Sequence, residues 1–290
     1  MPALDYGTVS RYWDRAGPSI LGPYMMDGFG FPKSAGRFRF RGECKIVEHL
    51  IAGADPAGNI LDLGSGIGCW TEYFAQRFAG VVAIEASTPL FEAMEQRCRQ
   101  LANVKMIHGD VMGFQPEGKY EAIFLGGMLM YLNEDDVICL LRKLVPFLQP
   151  GGIVLCRETT VRTADVTRDG DYQAVYRSVK NYRRIFSECG LSVAKVQMNM
   201  PYVVMQLGCE FVKKWKSTVP PRMQLSSFVG RLVYWGLRLG YPWIAHVPTS
   251  LGLAYPELTN HFFVLQPESH SMSNSTTVDD AAERPAAEYI

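Results

Sequence analysis

Asp62, Gly64, Ser65, Gly66 and Gly68 stand close together in the run ILDLGSGIGCW, from Ile60 to Trp70. Apolar residues lead into the aspartate, and glycine then alternates with other residues. This reads as a buried strand entering a tight turn, where a missing Cβ lets backbone approach a ligand. Two more acids close later apolar runs: Glu85 in GVVAIEAS and Asp110 in NVKMIHGD. A carboxylate at Glu85 can accept both hydroxyls of a ribose, the role an acid takes in nucleotide-binding sheets. Asp110, on the same sheet edge, can accept from an adenine amino group. Asp62 can brace the turn or meet a cationic amine.

The turn is selective about its ligand. A dinucleotide site wants G-x-G-x-x-G, but Cys69 occupies the third glycine position and Gly68 arrives one residue early. A phosphate loop is excluded more firmly, because no Gly-Lys-Ser/Thr follows. The expected ligand lacks a phosphate and still has a ribose to hold.

The elements that position these residues alternate. A helix over about 42–52 leads into a strand at Asn59–Leu63, and a helix follows over about 70–78. GVVAIEAS, NVKMIHGD, YEAIFLGGMLMYL and IVLCRE supply four more strands, with helices in PLFEAMEQRCRQL and EDDVICLLRKLVPFLQPGG. Such alternation argues for a parallel sheet covered on both faces. Beyond Glu158, TTVRTADVTRDGDYQAVYRS reads as an ordered loop with a short helix. VKNYRRIFSECG is helical to Gly190, LSVAKVQMNMPY is strand-like, and NHFFVLQP from Asn260 is a last strand.

Composition narrows the class. The 290 residues carry 29 Lys+Arg against 29 Asp+Glu, which gives no case for a nucleic-acid partner. Seven cysteines without a C-x-x-C pair suit reduced thiols, and the N-terminus lacks a signal-peptide core, so a cytoplasmic location is expected. Phe228–Pro248 is the most apolar long stretch, but Arg231 and Arg238 interrupt it, so no transmembrane segment is expected. On a helix those arginines share one face and leave another apolar, which permits a surface-lying membrane helix or a lid packed on the core. Phe211–Pro256 holds six Lys or Arg and no acid. From Glu268 the chain is polar and without period, as in a disordered tail.

ILDLGSGIG, VVAIEAS, HGDV and LQPGGIVLCRE resemble successive motifs of the class I S-adenosylmethionine-dependent methyltransferases. The resemblance covers about residues 42–200 and the last strand near 260–266. It implies an α/β, Rossmann-like, seven-stranded and mostly parallel sheet in order 3-2-1-4-5-7-6, with strand 7 antiparallel. It implies S-adenosylmethionine as cofactor, with Asp62, Gly64, Ser65 and Gly66 near its methionine portion. Glu85 and Ala86 then take the ribose, Asp110 and Val111 flank the adenine, and Gly126, Gly127 and Met128 line the cofactor near its sulfur. The chain divides on this basis into a cap (1–45), a catalytic domain (46–202 and 258–267), a mainly helical insertion (203–257) and a tail (268–290). Intact glycines and acids argue against a degenerate, non-catalytic scaffold.

Methyl transfer is an in-line attack, so positioning and desolvation matter most, and a base only if the acceptor must lose a proton. Arg157 and Glu158 end the fifth strand, and Tyr172, Tyr176, Arg177 and Tyr182 follow. This pattern resembles small-molecule amine methyltransferases and the enzymes that methylate protein N-terminal amines. Glu158 can receive an ammonium, and tyrosines offer it a hydrogen bond or a π face. Arg157 and Glu158 can equally form a structural pair or point to opposite faces. Tyr182 and Phe186 can simply pack a helix. Tyr12 and Trp13 either close over the cofactor or anchor the N-terminal helix. His261 is a candidate base or a satisfied strand residue, and no spacing marks a metal site. The expected acceptor is a small molecule with an apolar body and an acidic group, methylated on nitrogen or oxygen. A protein N-terminal amine, or a lipid-like substrate at a membrane surface, is the alternative. The insertion is a lid over this acceptor, a homodimer surface or a peripheral membrane contact.

Overall fold

The computed structural model describes residues 3–15, 29–220, 224, 226–250, 256 and 258–268. Of the expected disordered tail only Glu268 falls among them; the rest lies outside the described residues, as does part of the cap.

A parallel core of β1 (Asn59–Leu63), β2 (Gly80–Glu85), β3 (Val104–His108), β4 (Tyr120–Leu125) and β5 (Leu148–Val161) runs in the order 3-2-1-4-5. β9 (Leu258–Pro267) lies antiparallel along β5, with Glu158 opposite His261, and β8 (Leu191–Met198) pairs antiparallel with β9. The sheet therefore reads 3-2-1-4-5-9-8, which is the expected 3-2-1-4-5-7-6 with its last two strands renumbered. α2 (Ser34–Leu50) leads into β1. α3 (Cys69–Ala75), α4 (Thr88–Cys98) and α5 (Glu134–Leu144) link the parallel strands.

The central strands β1, β2, β4 and β5 are largely apolar on both sides because both faces are covered. Neighbouring residues split between the layers: Leu61, Ile123 and Phe263 enter one core with Leu140, Leu141 and Phe186. Ile60, Ala122, Phe124 and Phe262 enter the other with Val47, Trp70 and Phe74. The period of two along each strand produces this division.

Three sequence expectations are corrected. α2 begins at Ser34, ahead of the expected Gly42, because Ala35, Arg39 and Glu43 already share its buried face. The helix expected to run to the glycines after Gln149 stops at Leu144; Pro146 falls in a short 3-10 turn over Val145–Phe147, and strand resumes at Leu148. The segment after Glu158 is not a loop with a helix. β5 continues to Val161, and β6 (Val166–Arg168) and β7 (Ala174–Ser178) form an antiparallel hairpin. β4 ends its pairing at Leu125 opposite Cys156, which leaves the far edge of β5 open. β7 fills it with Thr160 opposite Arg177 and Val161 opposite Ser178. A polar sequence does not advertise strands that depend on an edge to join.

α6 (Val179–Glu188) follows β7, capped by Ser178, whose hydroxyl accepts from the Asn181 N–H. After β8, Asn199 caps α7 (Met200–Thr218) by accepting from the Tyr202 N–H, and Pro201 occupies its first turn. α8 (Ser226–Ser250) packs on α7 where Gly208 allows close approach. A Cβ there would lie 2.6 Å from Leu237. Among the described residues no helix is long and apolar enough to cross a membrane.

Candidate cofactor and acceptor site

A cavity of about 920 Å³ opens at the carboxyl ends of β1 to β5. Asp62, Gly64, Ser65, Gly66, Glu85, Ala86, Asp110, Val111, Gly126 and Met128 all line it, with Tyr12 and Trp13 across from them. The turn after β1 needs glycine: Gly64, Gly66 and Gly68 have φ of +66°, +57° and +76°. At Gly66 an added Cβ would meet nothing within 4 Å, so what the turn preserves there is the left-handed backbone and open space.

Glu85 ties this turn to β2. Its carboxylate accepts from the Gly66 N–H at 2.7 Å and from the Ser87 N–H at 2.9 Å. An ionised carboxylate has about four acceptor directions, so lone pairs remain for ligand hydroxyls. Burial raises its pKa, against the lowering effect of those backbone donors. Asp62 is buried beneath the turn and accepts from Thr71 Oγ1 at 2.7 Å; burial pushes its carboxyl up to about 7. Three acids at three successive strand ends thus face one half of the cavity.

The other half is aromatic and basic. Tyr131 and Tyr172 share a hydrogen bond of 2.8 Å between their hydroxyls, and Tyr176 donates to Tyr172 at 3.5 Å. Burial drives the Tyr131 and Tyr172 phenols well above their ordinary value, so both stay protonated. Tyr12 meets the Tyr172 ring at 4.9 Å and Trp13 the Tyr131 ring at 5.2 Å, both edge-on. The Arg168 guanidinium lies 5.0 Å from the Tyr172 ring centre. Deeper in, Arg157 donates twice to the buried Glu43, at 3.0 and 3.1 Å, and Arg39 donates to the same carboxylate at 2.9 Å. Asn199 completes the cluster with a 2.8 Å bond to Glu43. Burial alone would raise Glu43, but the two guanidiniums outweigh it and hold the carboxyl below its usual range. Arg39 and Arg157 both line the cavity.

α1 (Tyr6–Arg15) lies over the mouth. At its start, the Leu4 N–H donates to Asn133, the Asp5 N–H to Gln173, and the Tyr6 hydroxyl to Asp136. At its end, Ser87 Oγ donates to the Trp13 carbonyl at 3.2 Å. Tyr12 and Trp13 pack on Leu90 and Ile67 while facing the cavity, so they both anchor the helix and line the site.

Two candidate catalytic residues lie elsewhere. Glu158 does not line the cavity: it sits on the opposite face of β5 from Arg157, fully buried, accepting from the Leu129 N–H at 3.1 Å and the Tyr182 hydroxyl at 3.5 Å. Alternation along the strand sends adjacent side chains to opposite faces. His261, opposite Glu158 on β9, is also outside the lining; its Nδ1 shares a 2.8 Å hydrogen bond with Thr160 Oγ1, and burial lowers its pKa to about 4. Arg157, Tyr172 and Tyr176 do reach the cavity. Sequence reasoning missed Arg39, Tyr131, Arg168, Tyr202 and Lys213, which line it from four separate elements, the last two from α7. Only the Arg39–Glu43 spacing on one helix was a visible signal. Among the described residues no group of three or more His, Cys, Asp or Glu could hold a metal ion.

Comparison with known proteins agrees with this arrangement. A family model described as a methyltransferase domain matches residues 60–152. Phosphoethanolamine N-methyltransferase 3 of Arabidopsis thaliana is 28% identical over 137 residues, 46% of this chain and 28% of that one. The chain thus spans well under half the length of that relative. Alpha N-terminal protein methyltransferase 1 of Drosophila melanogaster is 22% identical over 72% of this chain and 77% of its own. Among solved structures, the cyclase SpnF superposes with a TM-score of 0.61 at 16% identity, over 92% of this chain and 98% of that one. Residues 60–152, on β1 to β5, match a methyltransferase domain, and with the sheet order and the glycine turn between Asp62 and Glu85 the chain has the fold of the class I S-adenosylmethionine-dependent methyltransferases.

Proposed function

We propose that the protein transfers a methyl group from S-adenosylmethionine to the nitrogen of a small acceptor that also carries an anionic group. The carrying observation is the division of one cavity into an acidic half, with Asp62, Glu85 and Asp110, and a half lined by tyrosines, Arg39, Arg157 and Arg168. The acidic half fits the cofactor: Glu85 has lone pairs for a ribose, and the open space over Gly66 admits a ligand against backbone. When bound, S-adenosylmethionine supplies an electrophilic methyl group on a sulfonium.

The chain's own contribution is positioning and shielding. Tyrosine faces favour a nitrogen that gains positive character during transfer, and their hydroxyls orient it. Arg168, which lines this half of the cavity, attracts an anionic group at the other end of the acceptor. The tethers of α1 hold a cover over the mouth, which excludes water and fixes the line of attack. No histidine lines the cavity among the described residues, and its remaining acid, Asp14, lies on α1. The nitrogen therefore arrives unprotonated or loses its proton to water.

Nitrogen now rests on the tyrosines, because Glu158 is not at the cavity. Relatives named for phosphoethanolamine and for protein N-terminal amines both support nitrogen, and the first name joins it to an anionic group. The fold is also that of a cyclase, so chemistry must be measured. Calorimetry should find binding of S-adenosylhomocysteine, and incubation of a metabolite extract with S-adenosylmethionine should give a methylated small molecule by mass spectrometry. Selective labelling of RNA or polypeptide would overturn the small-molecule reading, and binding without any transfer would leave a scaffold.

A further inference from the structure

One face of α8 has no use in the reading above. Phe228, Leu232, Trp235, Leu239 and Trp243 follow one another at spacings of four, three, four and four, so they form one stripe along the helix. All five are exposed, Leu239 by 79% and Trp243 by 74%. The opposite face is used: Tyr234 is fully buried against Ala35 and Met205, and Leu237 packs where α7 has Gly208. With Phe211 on α7, the stripe accounts for six of the eight exposed large hydrophobic residues among those described. Soluble monomers scatter such residues rather than align them over about 22 Å of helix.

Charge identifies the occupant. Arg231 and Arg238 are exposed and border the stripe on one side, and exposed Lys214 lies on α7 near Phe211. Phe211–Pro256 contains six Lys or Arg and no Asp or Glu. A second copy of the same face would bring these cations against one another. An anionic bilayer surface would meet both features, with apolar and indole groups at the headgroup boundary and cations above them. We propose that α8 docks the protein peripherally on anionic membranes through Phe228, Leu232, Trp235, Leu239 and Trp243. One consequence concerns the acceptor: the cavity reaches α7 at Met205, Gln206, Cys209 and Lys213, the helix on which α8 packs. Docking brings the acceptor half of the site toward the bilayer.

Cosedimentation of the full chain tests this, using vesicles of phosphatidylcholine alone or with about one-third phosphatidylserine. Binding is expected to the mixed vesicles at low salt, weakening as salt rises, with a blue shift of tryptophan emission. The Leu239→Glu/Trp243→Glu double variant should bind at least tenfold more weakly, and Arg231→Gln/Lys214→Gln should flatten the salt dependence. Both should keep S-adenosylhomocysteine affinity within about threefold, which shows that the fold is intact and keeps this test independent of methyl transfer. Failure of the wild-type chain to bind mixed vesicles, or equal binding to neutral ones, overturns the proposal. So does a concentration-dependent dimer that Leu239→Glu/Trp243→Glu abolishes without any vesicle binding, which assigns the stripe to a second copy.

Discussion

Glu158 and Arg177 grip the same residue from opposite sides. Glu158 Oε1 accepts from the Leu129 N–H at 3.1 Å, while Arg177 Nη1 donates to the Leu129 carbonyl at 2.8 Å. Arg177 also donates to the Leu132 carbonyl at 2.6 Å. Both side chains are buried, and the segment they hold carries Met128 and Tyr131 into the cavity. They are positioning residues for the junction between cofactor and acceptor halves.

This placement makes stability depend on pH. Burial raises the Glu158 carboxyl to about 7, so the folded state keeps its proton where the unfolded chain has released it. Stability attributable to Glu158 is full at acid pH and is lost as pH rises through about 7. Between about pH 5 and 8 the wild type should lose on the order of 2 kcal/mol relative to Glu158→Gln, which cannot ionise. Urea melts across that range measure it, and parallel curves for the two proteins would refute the assignment.

Glu85 and Gly66 should govern the cofactor alone. Glu85→Ala removes the acceptor of the Gly66 N–H, the group proposed to take the ribose, and should weaken S-adenosylhomocysteine binding more than tenfold by calorimetry. Gly66→Ala meets no side chain but places a Cβ at a φ of +57°, costing about 1–2 kcal/mol in thermal stability.

The Glu43 cluster is a stability element in the cavity wall. Glu43→Ala leaves Arg39 and Arg157 buried without their shared carboxylate and should destabilise by about 3–5 kcal/mol in chemical denaturation. Glu43→Gln, which keeps an acceptor and a similar volume, should cost less than Ala. Equal losses would show that charge, not shape, is what the site needs.

Acceptor chemistry should proceed without an enzymic base. The pH profile of kcat/KM should rise with the acceptor's own free-amine fraction, and His261→Ala should leave its midpoint unchanged and the rate within about threefold, where removing a general base costs 10²-fold or more. Tyr172→Phe, which deletes the hydroxyl bonded to Tyr131, should raise the acceptor KM about fivefold and leave S-adenosylhomocysteine affinity alone. A shifted profile in His261→Ala would put the base back on β9.

The parallel strands and the positions lining the cavity at the ends of β1 to β3 were legible in the sequence, because each is a local event. The sheet order came only with the resemblance, since strand neighbours are set by pairing in space. An apolar run buried on both faces, a glycine turn and an acid at the strand end lie within a few residues of one another, so Asp62, Gly66, Glu85 and Asp110 announce themselves. The other half was legible only in part, through Arg157, Tyr172 and Tyr176, while Arg39, Tyr131 and Arg168 were missed. Tyr12, Tyr131 and Tyr172 meet only because α1 is tied across the mouth and the β6–β7 hairpin takes the open edge of β5. Arg157 and Glu158 carry no mark that separates them; the register of β5 with β9 and the burial of Glu43 decide which one faces the cavity. Types and spacings set what a strand end can hold, but the side a residue faces is fixed by its neighbours in space, and these come from far along the chain.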